Sequence, residues 1–166
     1  LDVNGHYPDC DKGIDTTIII YLNPTPVFDT IIISDTVICN ETFITITPLN
    51  TQIVAGNGVV KYEFETESVS LSGYRDNSAP PYLMGAFTDL LVNSSSFIQP
   101  IEYKFSPLID DPDHPNCFNG ILDSVLIKVA PTLLDTAEAL EYIGGRNIRC
   151  FGESNGLINL YPYGGY

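Results

Sequence analysis

The side chains best equipped for chemistry in this chain are its four cysteines, and their placement is periodic. Cys10-x-x-Gly13-Ile14 and Cys117-x-x-Gly120-Ile121 stand 107 residues apart, each leading through an aliphatic run to a proline, Pro24 or Pro131. Cys39 and Cys150 answer to each other at a spacing of 111 residues. Thiols placed twice at matching points read as a structural device. The C-x-x-C spacing that zinc and dithiol redox sites use does not occur. Cys10, Cys39, Cys117 and Cys150 are therefore expected to form disulfides in an oxidising compartment. Two pairings stay open. Cys39 with Cys117 is the nominal bond within one unit, although the strand layout below puts them at different poles. The alternative is a staple across the junction between consecutive units, where one pole meets the next.

A second constellation is acidic. Asp110, Asp111 and Asp113 fall within four residues of one loop, and Asp9 and Asp11 flank the equivalent Cys10. Hard oxygen donors on a loop are what Ca²⁺ requires, so Ca²⁺ is the one cofactor considered. The D-x-D-x-D-G order is absent, and a solvated acidic tip explains the same residues. His6 and His114 occupy corresponding loops ahead of Cys10 and Cys117, which makes each a repeated loop residue before a general base. With no G-x-S-x-G, H-E-x-x-H or glycine-rich phosphate loop, no catalytic residue is expected and the chain is read as non-enzymatic.

Composition narrows the partners. Seven Lys and Arg against 21 Asp and Glu give a net charge of −14, which repels nucleic acid and anionic lipid. No apolar window is long enough for a membrane span, so direct membrane insertion is not expected. The acidic, lysine-poor balance suits an extracellular protein. The opening residues lack signal-peptide order, so any targeting signal is expected outside this segment.

The elements that position these residues are β throughout. Residues 16–22, TTIIIYL, read as the last strand of one unit, stopped by Asn23-Pro24-Thr25-Pro26, a stiff linker. Strands follow over 27–34, 42–48 and 59–66. In the second, Phe43 falls opposite Ile44 and Ile46; in the third, Val60, Tyr62 and Phe64 face inward against Lys61, Glu63 and Glu65. A short apolar run at 69–71 and a polar loop over 74–81 come next. Over 82–93, Leu83, Phe87, Leu90 and Leu91 recur at helical spacing, predicting a short helical turn and then a strand. Residues 101–107 alternate again, and 121–129 close the unit. Seven or so short strands in about 105 residues predict an all-β, two-sheet sandwich, with a barrel as runner-up. The repeats divide the chain into the tail of a preceding module (1–26), one complete module (27–131), and a linker with the start of a third (132–166) whose first strand is expected over 156–161, residues 136–143 being the link. The ends are thus not expected to be natural termini.

Ile38-Cys39-Asn40-Glu41-Thr42, Leu71-Ser72-Gly73, Leu91 to Ser95, Tyr103 to Pro107, Cys117 and Gly120 together resemble the PKD-like modules of large secreted Bacteroidota proteins. Tyr62 or Phe64 stands where those modules have Trp. Gly144 to Ile158, with Gly164-Gly165 after it, is similar to the opening of a SprB repeat of flavobacterial gliding adhesins. The resemblance implies tandem immunoglobulin-like (PKD-like) β-sandwich modules, one complete and two partial. It further implies type IX export, display at the outer membrane and a role in gliding motility and attachment. The implied partners are neighbouring modules of the same chain, surface polysaccharide and the gliding and secretion machinery. Asp-Thr/Ser followed by a small or aliphatic residue occurs five times and resembles the Bacteroidota O-glycosylation signal, making Thr16, Thr30, Thr36, Ser124 and Thr136 candidate acceptors. The same dipeptides also start strands and turns. Asn40-Glu41-Thr42 and Asn93-Ser94-Ser95 are weaker N-linked sequons. The alternative function is a carbohydrate-binding or spacer module of a secreted hydrolase, for which Tyr161, Tyr163 and Tyr166 are the nearest thing to an aromatic platform.

Overall fold

A computed structural model describes residues 16–165. Every regular element among them is a strand: β1 (Thr30–Ile33), β2 (Val37–Ile38), β3 (Thr42–Leu49), β4 (Val59–Glu67), β5 (Leu71–Ser72), β6 (Phe87–Asn93), β7 (Gln99–Asp110), β8 (Asp123–Val129), β9 (Leu134–Ala139) and β10 (Ile158–Tyr163). Two four-stranded sheets, ordered β1-β3-β6-β5 and β2-β8-β7-β4, enclose one core, and β9 and β10 pair as a separate two-stranded sheet. The all-β expectation holds.

Side-chain alternation builds that core. Tyr62 and Phe64 of β4, Ile101, Tyr103 and Phe105 of β7, and Ile127 and Val129 of β8 point inward from one sheet. Ile44 and Ile46 of β3 and Phe87 and Leu91 of β6 meet them from the other. Phe64 stacks on Phe87 across the sheets, with ring centroids 4.6 Å apart and planes 11° from parallel. Tyr62, Tyr103 and Phe105 surround the pair at 5.6–6.4 Å. Burial raises the Tyr62 hydroxyl to about 12 and Tyr103 further still, so both stay neutral in the fold.

The first strand is split. β1 pairs antiparallel with β3; the chain then turns at Ser34-Asp35-Thr36, where Asp35 Oδ1 accepts the amides of Thr36 and Val37, and β2 joins the other sheet parallel to β8. Lys128 N donates to Thr36 O at 2.9 Å and Ala130 N to Ile38 O at 2.8 Å. At the opposite side the long edge of β4 is covered by the 73–86 loop, whose Asn77 and Leu83 each exchange two backbone hydrogen bonds with Phe64 and Tyr62.

Three local expectations are corrected. Residues 16–22 are not in a strand: β-branched residues need a partner strand, and among the described residues none pairs with this segment. No helical turn forms in 82–93: Leu83 bridges to Tyr62, and the strand β6 starts at Phe87. The link expected over 136–143 is strand through Ala139, where β9 pairs with β10.

Gly120 explains one repeated residue. A Cβ placed there would lie 1.9 Å from the Pro107 carbonyl oxygen, so the turn into β8 closes only around a hydrogen. Gly120→Ala is expected to lower stability by roughly 1–3 kcal/mol, as overpacking does, read as a reduced thermal midpoint with an unchanged far-ultraviolet spectrum. An unaltered midpoint would refute the close approach. Gly13, its counterpart in the repeat, lies outside the described residues.

Candidate functional site

The chain arrives at one end of the sandwich and leaves at the other. Following the register, Thr30 opposes Leu49 and Val59 opposes Asp110 at the lower pole, while Ile38, Val129 and Gln99 are level at the upper. The two poles are where the segments before and after the sandwich attach, and each carries its own set of polar contacts.

At the lower pole the proline linker is gripped by the segment after β3. Gln52 Oε1 accepts the Val27 amide at 2.9 Å, Gln52 Nε2 donates to Thr25 O at 2.9 Å, and Asn50 Nδ2 donates to Val27 O. Asn23 Oδ1 accepts the Ala55 amide at 2.7 Å, and Ile121 N donates to the carbonyl of the buried Pro26 at 2.9 Å. Two prolines fix φ in the linker; these bonds fix its direction relative to the sandwich. At the upper pole Asn40 Nδ2 donates to Thr132 Oγ1 at 2.7 Å, and Asn40 Oδ1 accepts the Asn93 amide at 2.6 Å. Buried Asn93 Nδ2 bonds the Val129 and Phe97 carbonyls, both at 2.8 Å. A Cβ on Gly164, at φ +82°, would meet Thr132 O at 2.2 Å, so the β9–β10 unit also approaches this pole closely.

The cysteines divide between the poles. Cys39 is exposed just beyond β2 at the upper pole, and half-buried Cys117 exchanges backbone hydrogen bonds with Ile109 at the lower. About ten residues of β7 separate the two levels, on the order of 30 Å along a strand, against the roughly 7 Å a disulfide tolerates. The nominal Cys39–Cys117 bond is thus corrected: the two lie too far apart, and among the described residues neither they nor exposed Cys150, in the β9–β10 connection, are bonded to one another. Cys10 lies outside the described residues.

The acidic loop is internally satisfied. Asp110 takes Lys61 Nζ at 2.6 Å and Asn116 Nδ2 at 3.0 Å, and the Lys61 bond holds its carboxyl below the ordinary range. Asp111 Oδ1 accepts the Asp113 amide at 2.9 Å, the main reason its carboxyl too is lowered, and its Oδ2 faces His114 Nδ1 at 3.1 Å. Asp113 accepts from Asn57 Nδ2 at 2.6 Å. The three carboxylates expected to offer oxygens to Ca²⁺ thus each face protein donors, and among the described residues no three His, Cys, Asp or Glu converge as ligands. His114 faces the Asp111 carboxylate, and among the described residues no hydroxyl or thiol bonds it; His6 is outside the described residues.

Thr16, Thr30, Thr36, Ser124 and Thr136 are all exposed. In two of the five dipeptides the Asp acts on its own backbone surroundings, Asp35 capping the turn into β2 and Asp123 Oδ1 accepting the Ser124 amide. Asn93 is buried with both side-chain hydrogens used, which closes the second N-linked sequon. The linker contacts of Asn50, Gln52 and Asn40 were invisible in the sequence because those partners lie 23 to 92 residues away. Compared with family models, curated proteins and solved structures, the chain matches none.

Proposed function

We propose that this chain is a structural segment of a large cell-surface adhesin filament, built from tandem immunoglobulin-like modules of the PKD-like kind. The observation that carries the reading is polar: the chain enters the sandwich at one end and exits at the other, with its linkers gripped at both. Modules joined this way line up end to end. The order β1-β3-β6-β5 against β2-β8-β7-β4 supports the finer fold, since it corresponds to ABED against CFG with the first strand shared between sheets. Tension along such a rod pulls β1 and β2 toward the lower pole and β8 toward the upper, loading the parallel β2–β8 bonds in shear. Export by the type IX route, outer-membrane display and a part in gliding motility follow from the sequence resemblance.

Stretching single molecules by handles at the two ends of the described segment tests the load-bearing reading. A discrete, cooperative rupture of the 27–131 module is expected, and the Ile38→Pro variant, which removes the β2 amide that faces β8 in the parallel register, should rupture at visibly lower force. Extension without a force peak would overturn it. One observation favours the second reading, a carbohydrate-binding module of a secreted hydrolase: Tyr161 and Tyr163, each 51% exposed, project from one face of β10. Polysaccharide binding lost in a Tyr161→Ala/Tyr163→Ala variant would support that instead.

A further inference from the structure

The outer faces of the two large sheets differ in kind. Outward from β4, β7 and β8 project Lys61, Glu63, Glu65, Glu67, Glu102, Lys104 and Lys128, with Lys104 bridging Glu67 at 2.5 Å and Glu102 at 3.7 Å. Outward from β1, β3 and β6 project no charged side chains at all. The register sets Phe43 beside Leu90, Thr45 beside Thr88, Ile32 beside Thr47 and Thr30 beside Leu49. Phe43 is 66% exposed, Ile32 51% and Leu90 36%, and the Thr45 and Thr88 hydroxyls bond each other at 3.2 Å. A chain of net charge −14 thus keeps one neutral, partly apolar face.

We infer that this face is a lateral contact surface, and that its occupant is the same face of a second copy. Charge decides the partner. Two copies, each at −14, repel wherever their carboxylates approach, and docking on the other sheet would desolvate Lys and Glu side chains at a cost. The β1-β3-β6 face turned on its own likeness brings no charge into contact. A two-fold axis through the centre of the sheet sets apolar and threonine positions of one copy against those of the other, an isologous interface. Sheets stack at about 10 Å when their facing side chains interdigitate, as the inner faces here already do. The β4 edge is covered by the 73–86 loop, which leaves the open face and not the strand edge for lateral contact.

Size sets the strength. Three strands about 4.8 Å apart and up to eight residues long present on the order of 400 Å², half of the roughly 800 Å² per partner of a stable complex. One pair of modules therefore associates weakly, and strength would come from many modules engaging in parallel. The inference goes beyond the filament reading and stands without it.

Sedimentation equilibrium of the 166-residue chain tests it. The weight-average mass is expected to rise from monomer toward dimer between about 10 μM and about 1 mM, the weak range for so small an interface. Raising salt should strengthen association by screening the net charge. Phe43→Glu/Leu90→Glu, both at exposed positions, should weaken association at least about tenfold with the far-ultraviolet spectrum unchanged. Ile20→Lys, in the exposed 16–22 segment, should leave it intact. A chain monomeric throughout, or association that survives the double variant and disappears with Ile20→Lys, overturns the inference. So does a monomer whose Phe43 resonances shift on titration with cellohexaose, which would assign the face to a neutral glycan.

Discussion

Replacing Asp89 by Ala is expected to cost about 2–5 kcal/mol of folding stability, because it takes the acceptor from a buried tyrosine hydroxyl and a backbone N–H at about 1–3 kcal/mol each, while its ion-pair partner Arg75 is half exposed and stays solvated. Asp89 is 3% exposed in the middle of β6, where alternation aims it into the core. Its Oδ1 takes Arg75 Nε at 2.7 Å, and its Oδ2 takes the Arg75 amide at 3.0 Å and the Tyr103 hydroxyl at 2.8 Å. Arg75 also donates to Thr88 O and lies over the Phe87 ring at 5.1 Å. Without the carboxylate, a buried tyrosine hydroxyl and a backbone N–H lose their acceptor, and the 73–86 loop loses its anchor. Two measurements check this. The denaturant midpoint should fall by the stated energy, and hydrogen exchange at the Asn77 and Leu83 amides should accelerate beyond the global change. A loss under about 1 kcal/mol would mean that water replaces the carboxylate, against the burial observed.

Phe64→Ala should cost a similar amount, about 3–5 kcal/mol, for a different reason: the deleted ring is the centre of the aromatic cluster and leaves a cavity walled by rigid rings that cannot collapse. Phe64 is 1% exposed and touches rings from both sheets. Loss of near-ultraviolet circular dichroism ahead of the far-ultraviolet signal would mark the loosened core. Because Tyr103 contacts both Phe64 and Asp89, the two costs should not add. Equal and independent losses in the double variant would contradict a shared cluster.

The strands β3, β4 and β7 were legible because every second residue over their central stretches is apolar and inward: Ile44 and Ile46, then Val60, Tyr62 and Phe64, then Ile101, Tyr103 and Phe105. β6 was legible only in part, as the strand expected after a helical turn, and the cause is chemical: its inward row is Phe87, Asp89, Leu91, Asn93. Two buried polar residues broke the period of two and left Leu90 and Leu91 adjacent, which imitates a helix. β9, with the sequence LDTAEA, holds residues that avoid strands, and only its pairing with β10 makes it one. Residues 16–22 show the converse, high strand propensity with no partner. The repeated cysteines marked the poles correctly as separate places, yet no local pattern disclosed that Asn50 and Gln52 reach back to hold the linker. Gly120 was visible as a repeated glycine; its reason, a carbonyl 13 residues upstream, required coordinates.

The sleeve that 73–86 lays along β4 acquires a further meaning if sandwiches of one design follow each other on a single polypeptide. Tethered siblings meet at millimolar effective concentration, the condition under which a bare ladder of amides recruits a foreign strand and the assembly scrambles. With the longest rim already engaged by Asn77 and Leu83, and the other rims formed by segments of two to four residues, each copy can refold beside its siblings without exchanging strands with them.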